Sequence, residues 1–166
     1  MTALHSNARI AVIGAGAMGA GIAQVAAQAG HPVLLFDNRP GAAAQAIDGV
    51  DRQLGKRVEK GKLSSEARSA TIACLQAVDA IEALAECELV IEAIVENLEV
   101  KRGLFRQLES ICGERCILAS NTSSLSITSI AAQLSHPHRV LGLHFSTPHR
   151  SWRWWKSSPA WPAIRH

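Results

Sequence analysis

Residues 9–37 read RIAVIGAGAMGAGIAQVAAQAGHPVLLFD, and the order of textures in this stretch decides the fold. The run RIAVI (9–13) is apolar and β-branched and stops at Gly14, the pattern of a strand buried on both faces of a parallel sheet. From Ala17 to Ala29 the chain is rich in Ala and other helix formers and closes at Gly30; HPVLLFD (31–37) is then a second buried strand ending at Asp37. Between the first strand and the helix lies GAGAMG, with Gly14, Gly16 and Gly19 in GxGxxG spacing around Ala17 and Met18. The first glycine lets the chain turn sharply and the second lets backbone N–H groups approach a pyrophosphate. The third lets the helix pack close to the sheet, with its N-terminus facing the anion. Asp37, 18 residues beyond Gly19, falls where a carboxylate accepts from both ribose hydroxyls and repels a 2′-phosphate. The spacing alone also fits a glycine-rich turn beside a solvated Asp. Its placement after a strand, at the mouth of a helix and with an acid closing the next strand, points to a dinucleotide site built from Gly14, Gly16, Ala17, Met18, Gly19 and Asp37. NAD is favoured over NADP, with Arg39 two residues on as the feature that suits a 2′-phosphate.

Outward from this unit, strands and helices continue to alternate. RPGAAAQAIDGVDRQLGKRVEKGKL (39–63) has helical periodicity with a stop at Gly61, and a further helix opens at Ser64 and Ser65 with Glu66 in its first turn. A weak strand near LQAV, a short helix AIEALAE, a strong strand ELVIEAI and a helix from Leu98 to Ile111 follow. CILAS, the short helix ITSIAAQL and the strand RVLGLHF complete the pattern. Such alternation implies right-handed crossovers and an α/β, Rossmann-type doubly wound parallel sheet, here with a helical excursion after the second strand.

At 166 residues the chain is about one domain in length and supports a core unaided. No apolar run approaches a membrane span and MTALHSNAR lacks the features of a signal peptide, so a soluble cytoplasmic protein is expected. Cys74, Cys87, Cys112 and Cys116 lack CxxC spacing and read as reduced thiols, with no metal site expected.

Three more motifs, VIEAIVENLEVK, ASNTSSLSITSIA and GLHF, occur in order and at fitting separations, and with the glycine loop they carry a resemblance. From about Arg9 to Phe145 the sequence resembles the NAD-binding domain of 3-hydroxyacyl-CoA dehydrogenases, including bacterial 3-hydroxybutyryl-CoA and phenylacetate-pathway members. The resemblance implies NAD-dependent oxidation of a 3-hydroxyacyl-CoA to the 3-oxoacyl-CoA, or the reverse reduction. It implies that Glu96 and Lys101 lie beside the nicotinamide nucleotide, that Ser123 hydrogen-bonds substrate oxygen and cofactor, and that His144 is the general base. A secondary alcohol loses a proton while hydride leaves its carbon, and a group titrating near pH 6.5 serves both directions. Without the resemblance, His144 reads as a structural or surface histidine, Ser123 as a turn or capping serine, and Glu96 with Lys101 as an exposed pair of little energetic worth. Lys56, Arg57 and Lys60 on the helical excursion are candidates for the phosphates of coenzyme A, Lys60 foremost, although a solvated basic face explains them equally. Two other readings stay open: a non-catalytic NAD-binding module, and a different Rossmann dehydrogenase of the 6-phosphogluconate or glycerol-phosphate type.

After Phe145 the texture changes. All four Trp lie in the last 15 residues; four of the 17 Lys and Arg, and none of the 14 Asp and Glu, lie after Phe145, so the formal charge of +3 belongs to residues 146–166. Where the family continues with a second Phe and then NPxPxMxLVEVV, this chain reads STPHRSWRWWKSS. Trp has the single codon TGG, so Trp154, Trp155 and Lys156 regrouped one base earlier encode Val-Glu at positions 155 and 156 whatever codons are used. The same regrouping permits Asn at Thr147, Pro at Pro148 and Arg150, Met or Leu at Trp152 and Leu at Trp154, which recovers the family string. Trp interleaved with Arg also suits base stacking or a membrane interface, but the recovered motif falls at the family's position. Residues 146–166 are therefore expected to be an aberrant out-of-frame tail, without ordered structure, on a domain formed by residues 1–145. Lys156 and Thr147 then replace a histidine-orienting Glu and a nicotinamide-contacting Asn. The family's C-terminal helical domain, which completes the acyl-CoA cleft and forms the homodimer, is expected to be absent. No nucleic-acid or membrane partner is expected.

Overall fold

The computed structural model describes residues 7–145 and 155–156. Its sheet is formed by β1 (Ile10–Ile13), β2 (Val33–Phe36), β3 (Leu75–Val78), β4 (Leu89–Glu92), β5 (Ile117–Ser120), β6 (Val140–His144) and the two-residue β7 (Trp155–Lys156). The order is β3-β2-β1-β4-β5-β6-β7; the first six strands are parallel and β7 is antiparallel to β6. The helices are α1 (Ala17–Gln28), α2 (Ala42–Glu59), α3 (Ser65–Ala73), α4 (Leu98–Ile111) and α5 (Ile127–Ala131). The doubly wound sheet expected from the alternation is thus the fold, and α2 with α3 is the expected excursion after the second strand.

Alternation along each strand assigns its side chains to two separate cores, as period-2 geometry requires. Ile10 and Val12 of β1 pack with Ile22, Ala23 and Ala27 of α1, whereas Ala11 and Ile13 pack with Phe105 and Leu108 of α4 and Ile130 of α5. Both faces of the sheet are therefore covered by helices, which explains why the strands read as continuous apolar runs.

Local chemistry sets the boundaries. Ser64 accepts from Ala67 N at 3.1 Å to open α3, and Asn97 accepts from Val100 N at 3.1 Å to open α4. The expected helix AIEALAE is instead a 3-10 turn, Ile81–Leu84, that follows β3 in the chain and buries Ile81 and Leu84 in the core with Ala11, Leu34 and Val90. The strand expected over ELVIEAI ends early, at Glu92, because the amide of Ile94 donates to the Glu92 carboxylate at 2.7 Å rather than to a neighbouring strand. The excursion is clasped by Arg68, whose Nε and Nη2 each donate to a carboxylate oxygen of Asp51 at 2.7 Å.

β7 places Trp155 opposite His144 and Lys156 opposite Leu143. The rest of the segment expected to be a tail, 146–154 and 157–166, lies outside the described residues. Among the described residues, no helix is long and apolar enough to cross a membrane, and no group of three or more His, Cys, Asp or Glu is placed to hold a metal ion. All four cysteines are free.

Candidate active site

The glycine loop leaves β1 at the point where the chain winds first to one side and then to the other, between β1 and β4. Gly14 has φ of +102°, and a Cβ there would come within 2.6 Å of Ala93 O. A Cβ on Gly19 would come within 1.8 Å of Gly14 O, so α1 rests directly on the loop backbone. Gly16 differs: a Cβ there meets nothing within 4 Å. It is the exposed N-cap of α1, and no side chain accepts from the first-turn amides. Two glycines are thus demanded by packing, and the third leaves open the approach to free amides at a positive helix end.

Asp37 closes this cradle from the end of β2. Its Oδ2 accepts from Ala15 N at 2.7 Å and its Oδ1 from Arg39 N at 2.9 Å, so the carboxylate is tied to the loop itself. Partial burial pushes its pKa up, but the Arg39 side chain together with the Ala15 and Arg39 amides outweighs this and holds it at about 2. An ionised carboxylate beside uncapped helix amides fits the ribose and pyrophosphate of NAD. Ala17 and Met18, in the first turn of α1, flank the same approach.

Register carries the site along the sheet. Ile13 pairs with Glu92, Glu92 with Ser120, and Ser120 with Gly142, so these four lie in one row, at the carboxyl ends of β1, β4 and β5 and two residues before the end of β6 at His144. Glu92 and Lys101 are fully buried and paired, Nζ to Oε1, at 2.6 Å. Ser120 Oγ donates to Glu92 Oε2 at 2.6 Å. Lys101 Nζ also lies 3.2 Å from Glu96 Oε2. The other oxygen of Glu96 gathers the loop after β5: the amides of Ser123 and Ser124 donate at 3.2 Å each and Ser124 Oγ at 3.1 Å, with Thr122 Oγ1 a further donor. Desolvation raises the Glu96 pKa, but the hydrogen bonds from Thr122 and Lys101 prevail and bring it to about 2.

Glu96 and Lys101 are therefore not the exposed pair suggested by the bare sequence. Lys101 has no solvent exposure, and Glu96 reads as a clamp on the Ser123 loop. Ser123 is exposed at the tip of that loop, and His144 is exposed at the end of β6. Asn121 Oδ1 accepts from Phe145 N at 3.1 Å, fixing the chain just after the histidine to the strand next door. Lys60, at the C-cap of α2, is exposed on the excursion and is not part of the row of strand ends.

Glu92, Ser120, Asn121 and Thr122 were not singled out from sequence. A signal for Glu92 exists: it is an acid closing an otherwise apolar strand. Lys101 sits four and seven residues before Phe105 and Leu108 on the buried stripe of α4, so each charge needs the other.

A glycine loop at the switch point of a parallel sheet, with an acid ending the second strand and polar side chains at the ends of β4, β5 and β6, defines a dinucleotide-binding oxidoreductase domain. The family model described as 3-hydroxyacyl-CoA dehydrogenase, NAD binding domain, matches residues 9–153. The chain belongs to this family, and its cofactor is NAD. It is 52% identical over 139 residues to a 3-hydroxyadipyl-CoA dehydrogenase of Escherichia coli, covering 84% of this chain and 29% of that one. It is 44% identical over 140 residues to a probable 3-hydroxybutyryl-CoA dehydrogenase of Bacillus subtilis, covering 84% and 49%. Among solved structures, a 3-hydroxybutyryl-CoA dehydrogenase from Escherichia coli superposes with a TM-score of 0.81 at 52% identity, covering 84% of this chain and 29% of that one. An (S)-3-hydroxybutyryl-CoA dehydrogenase from Ralstonia eutropha superposes with a TM-score of 0.80 at 36% identity, covering 83% and 49%. The chain thus spans half or less of the length of each of these four relatives.

Proposed function

We propose that residues 9–145 form the nucleotide-holding half of an NAD-dependent 3-hydroxyacyl-CoA dehydrogenase. The observation that carries this reading is the row of strand ends: glycine loop, Glu96-clamped Ser123 loop and His144 all stand at the carboxyl end of one parallel sheet. NAD, when bound, supplies the hydride acceptor. His144 takes the proton from the 3-hydroxyl as the carbonyl forms, and returns it in the reverse direction. The Ser123 hydroxyl hydrogen-bonds the same oxygen and holds it at the reacting end of the cradle. Glu96 fixes the loop that presents Ser123, and the Glu92–Lys101 pair fixes Glu96. Asp37 selects the ribose, and Lys60 meets a coenzyme A phosphate.

The 166 residues by themselves hold NAD with little turnover. An imidazole that accepts a proton is helped by a carboxylate that fixes its tautomer and stabilises its charge, and loss of such a partner costs roughly 10⁴-fold in a serine protease. The out-of-frame reading puts Lys156 in place of the family's histidine-orienting glutamate, and β7 pairs Lys156 with Leu143, the residue before His144. A frame-corrected long form and this chain, compared at equal NADH occupancy with acetoacetyl-CoA, test both parts. The long form is expected to oxidise NADH, and the short chain to run at less than about a tenth of that rate, well inside the loss expected for a missing carboxylate. Failure of the long form with every acyl chain length rejects the assignment; comparable rates reject the role given to the carboxylate.

A further inference from the structure

Asp37 has no acceptor position to spare. A carboxylate offers about four lone-pair sites, and here four donors use them: Arg39 N at 2.9 Å and Arg39 Nε at 3.0 Å on Oδ1, Ala15 N at 2.7 Å and Arg39 Nη2 at 3.3 Å on Oδ2. The ribose hydroxyls of a dinucleotide must therefore displace something. The Ala15 and Arg39 amides are backbone, held by the glycine loop and the turn after β2. The guanidinium is the movable member, with a side chain 70% exposed against 8% for Asp37.

We propose that Arg39 is a specificity-determining residue of the nucleotide site: its guanidinium competes with the ribose hydroxyls for Asp37 and, once displaced, is available to the 2′-phosphate of NADP. The inference rests on the assignment of Asp37 to the ribose. Its consequence is a weakened preference. Asp37 alone rejects a 2′-phosphate; Arg39 masks that charge before binding and offers a planar cation with paired donors afterwards. Arg39 thus lowers affinity for NADH and raises it for NADPH.

The test is fluorescence titration of NADH and NADPH onto the 166-residue chain and its Arg39→Ala, Arg39→Gln and Asp37→Ala variants. Arg39 is exposed, and thermal melting checks that its variants fold as the parent does. Removing the guanidinium is expected to tighten NADH about two- to fivefold, the worth of an exposed ion pair. NADPH should weaken about tenfold, the scale of a charge-assisted hydrogen bond. Arg39→Gln, similar in length and uncharged, should shift both in the same directions. Weaker NADH binding in both Arg39 variants means that the guanidinium simply attracts the pyrophosphate, and unchanged NADPH binding means that it does not reach the 2′ position; either overturns the proposal. If Asp37→Ala alters discrimination while the Arg39 variants do not, the inference fails and the ribose assignment stands. If Asp37→Ala is also silent, or the parent binds neither nucleotide, both fall.

Discussion

Lys101 Nζ lies 2.6 Å from Glu92 Oε1 and 3.2 Å from Glu96 Oε2, joining a carboxylate with no solvent exposure to one at the protein surface. A single ammonium thereby connects the end of β4 to the loop that carries Ser123. Breaking a buried pair from one side leaves the other charge stranded, at a cost of about 3–5 kcal/mol. Lys101→Met should destabilise the domain on that scale in urea melts, and Glu92→Gln by less, since the amide still accepts from Ser120 or Ile94. Adding Glu92→Leu to Lys101→Met should recover part of the loss. A Lys101→Met variant as stable as the parent would remove the argument for the network.

The glycines make a sharper prediction, because packing demands two of them and the third stands in open space at the N-terminus of α1. Gly19→Ala and Gly14→Ala force a carbon against backbone oxygen and should prevent stable folding. Gly16→Val has open space and should melt within a degree or two of the parent while NADH titration shows binding lost. Binding retained in a folded Gly16→Val variant would mean that the phosphates do not approach the α1 N-terminus.

Acid should loosen the Ser123 loop. Glu96 titrates at about 2 when folded, against an ordinary 4.5, so its contribution is complete above pH 4.5 and is lost as the pH falls through about 2. Across that window urea midpoints of the parent should fall more steeply with decreasing pH than those of Glu96→Gln. Parallel slopes would show that Thr122, Ser123 and Ser124 do not hold the carboxylate ionised.

Thiol chemistry provides an independent check on the core. Cys87, Cys112 and Cys116 are buried, and desolvation pushes the Cys87 thiol up to about 12. At pH 8 a thiol-specific reagent should label the half-buried Cys74 first, and the other three only on unfolding. Rapid labelling of three or four cysteines would contradict this packing.

The fold was legible because the textures that encode it are local. A β-branched run, a Gly stop and an Ala-rich helix each announce themselves within a few residues, and the strand order follows from chirality. The glycine loop and Asp37 were legible for the same reason. Glu92, Ser120 and Thr122 were not, since their roles arise from registers that pair residues 28 positions apart, as in Ser120 with Glu92. Lys101 was misread energetically: sequence separation placed it near Glu96, but only the packing of α4 on the sheet removes it from water. His144 and Ser123 carry no local mark of chemistry at all, and family likeness alone singled them out. The early end of β4 is one more nonlocal effect, produced by a side chain that competes for a backbone amide.

The strand order also divides the site by resistance to opening. β1 and β4, which carry the glycine loop and Glu92, are flanked by strands on both sides, whereas β6, which carries His144, has β5 on one side and, among the described residues, the two residues of β7 on the other. Local unfolding free energies fall from central strands towards margins. Amide hydrogen exchange should accordingly slow towards the global limit at Val12 and Val90 and run faster at Leu141 and Leu143. If His144 is the proposed proton acceptor, the segment that carries it can fray and re-form while the glycine loop stays shut, and the proposed function then makes retention of cofactor and competence for chemistry two separately breakable properties of one sheet.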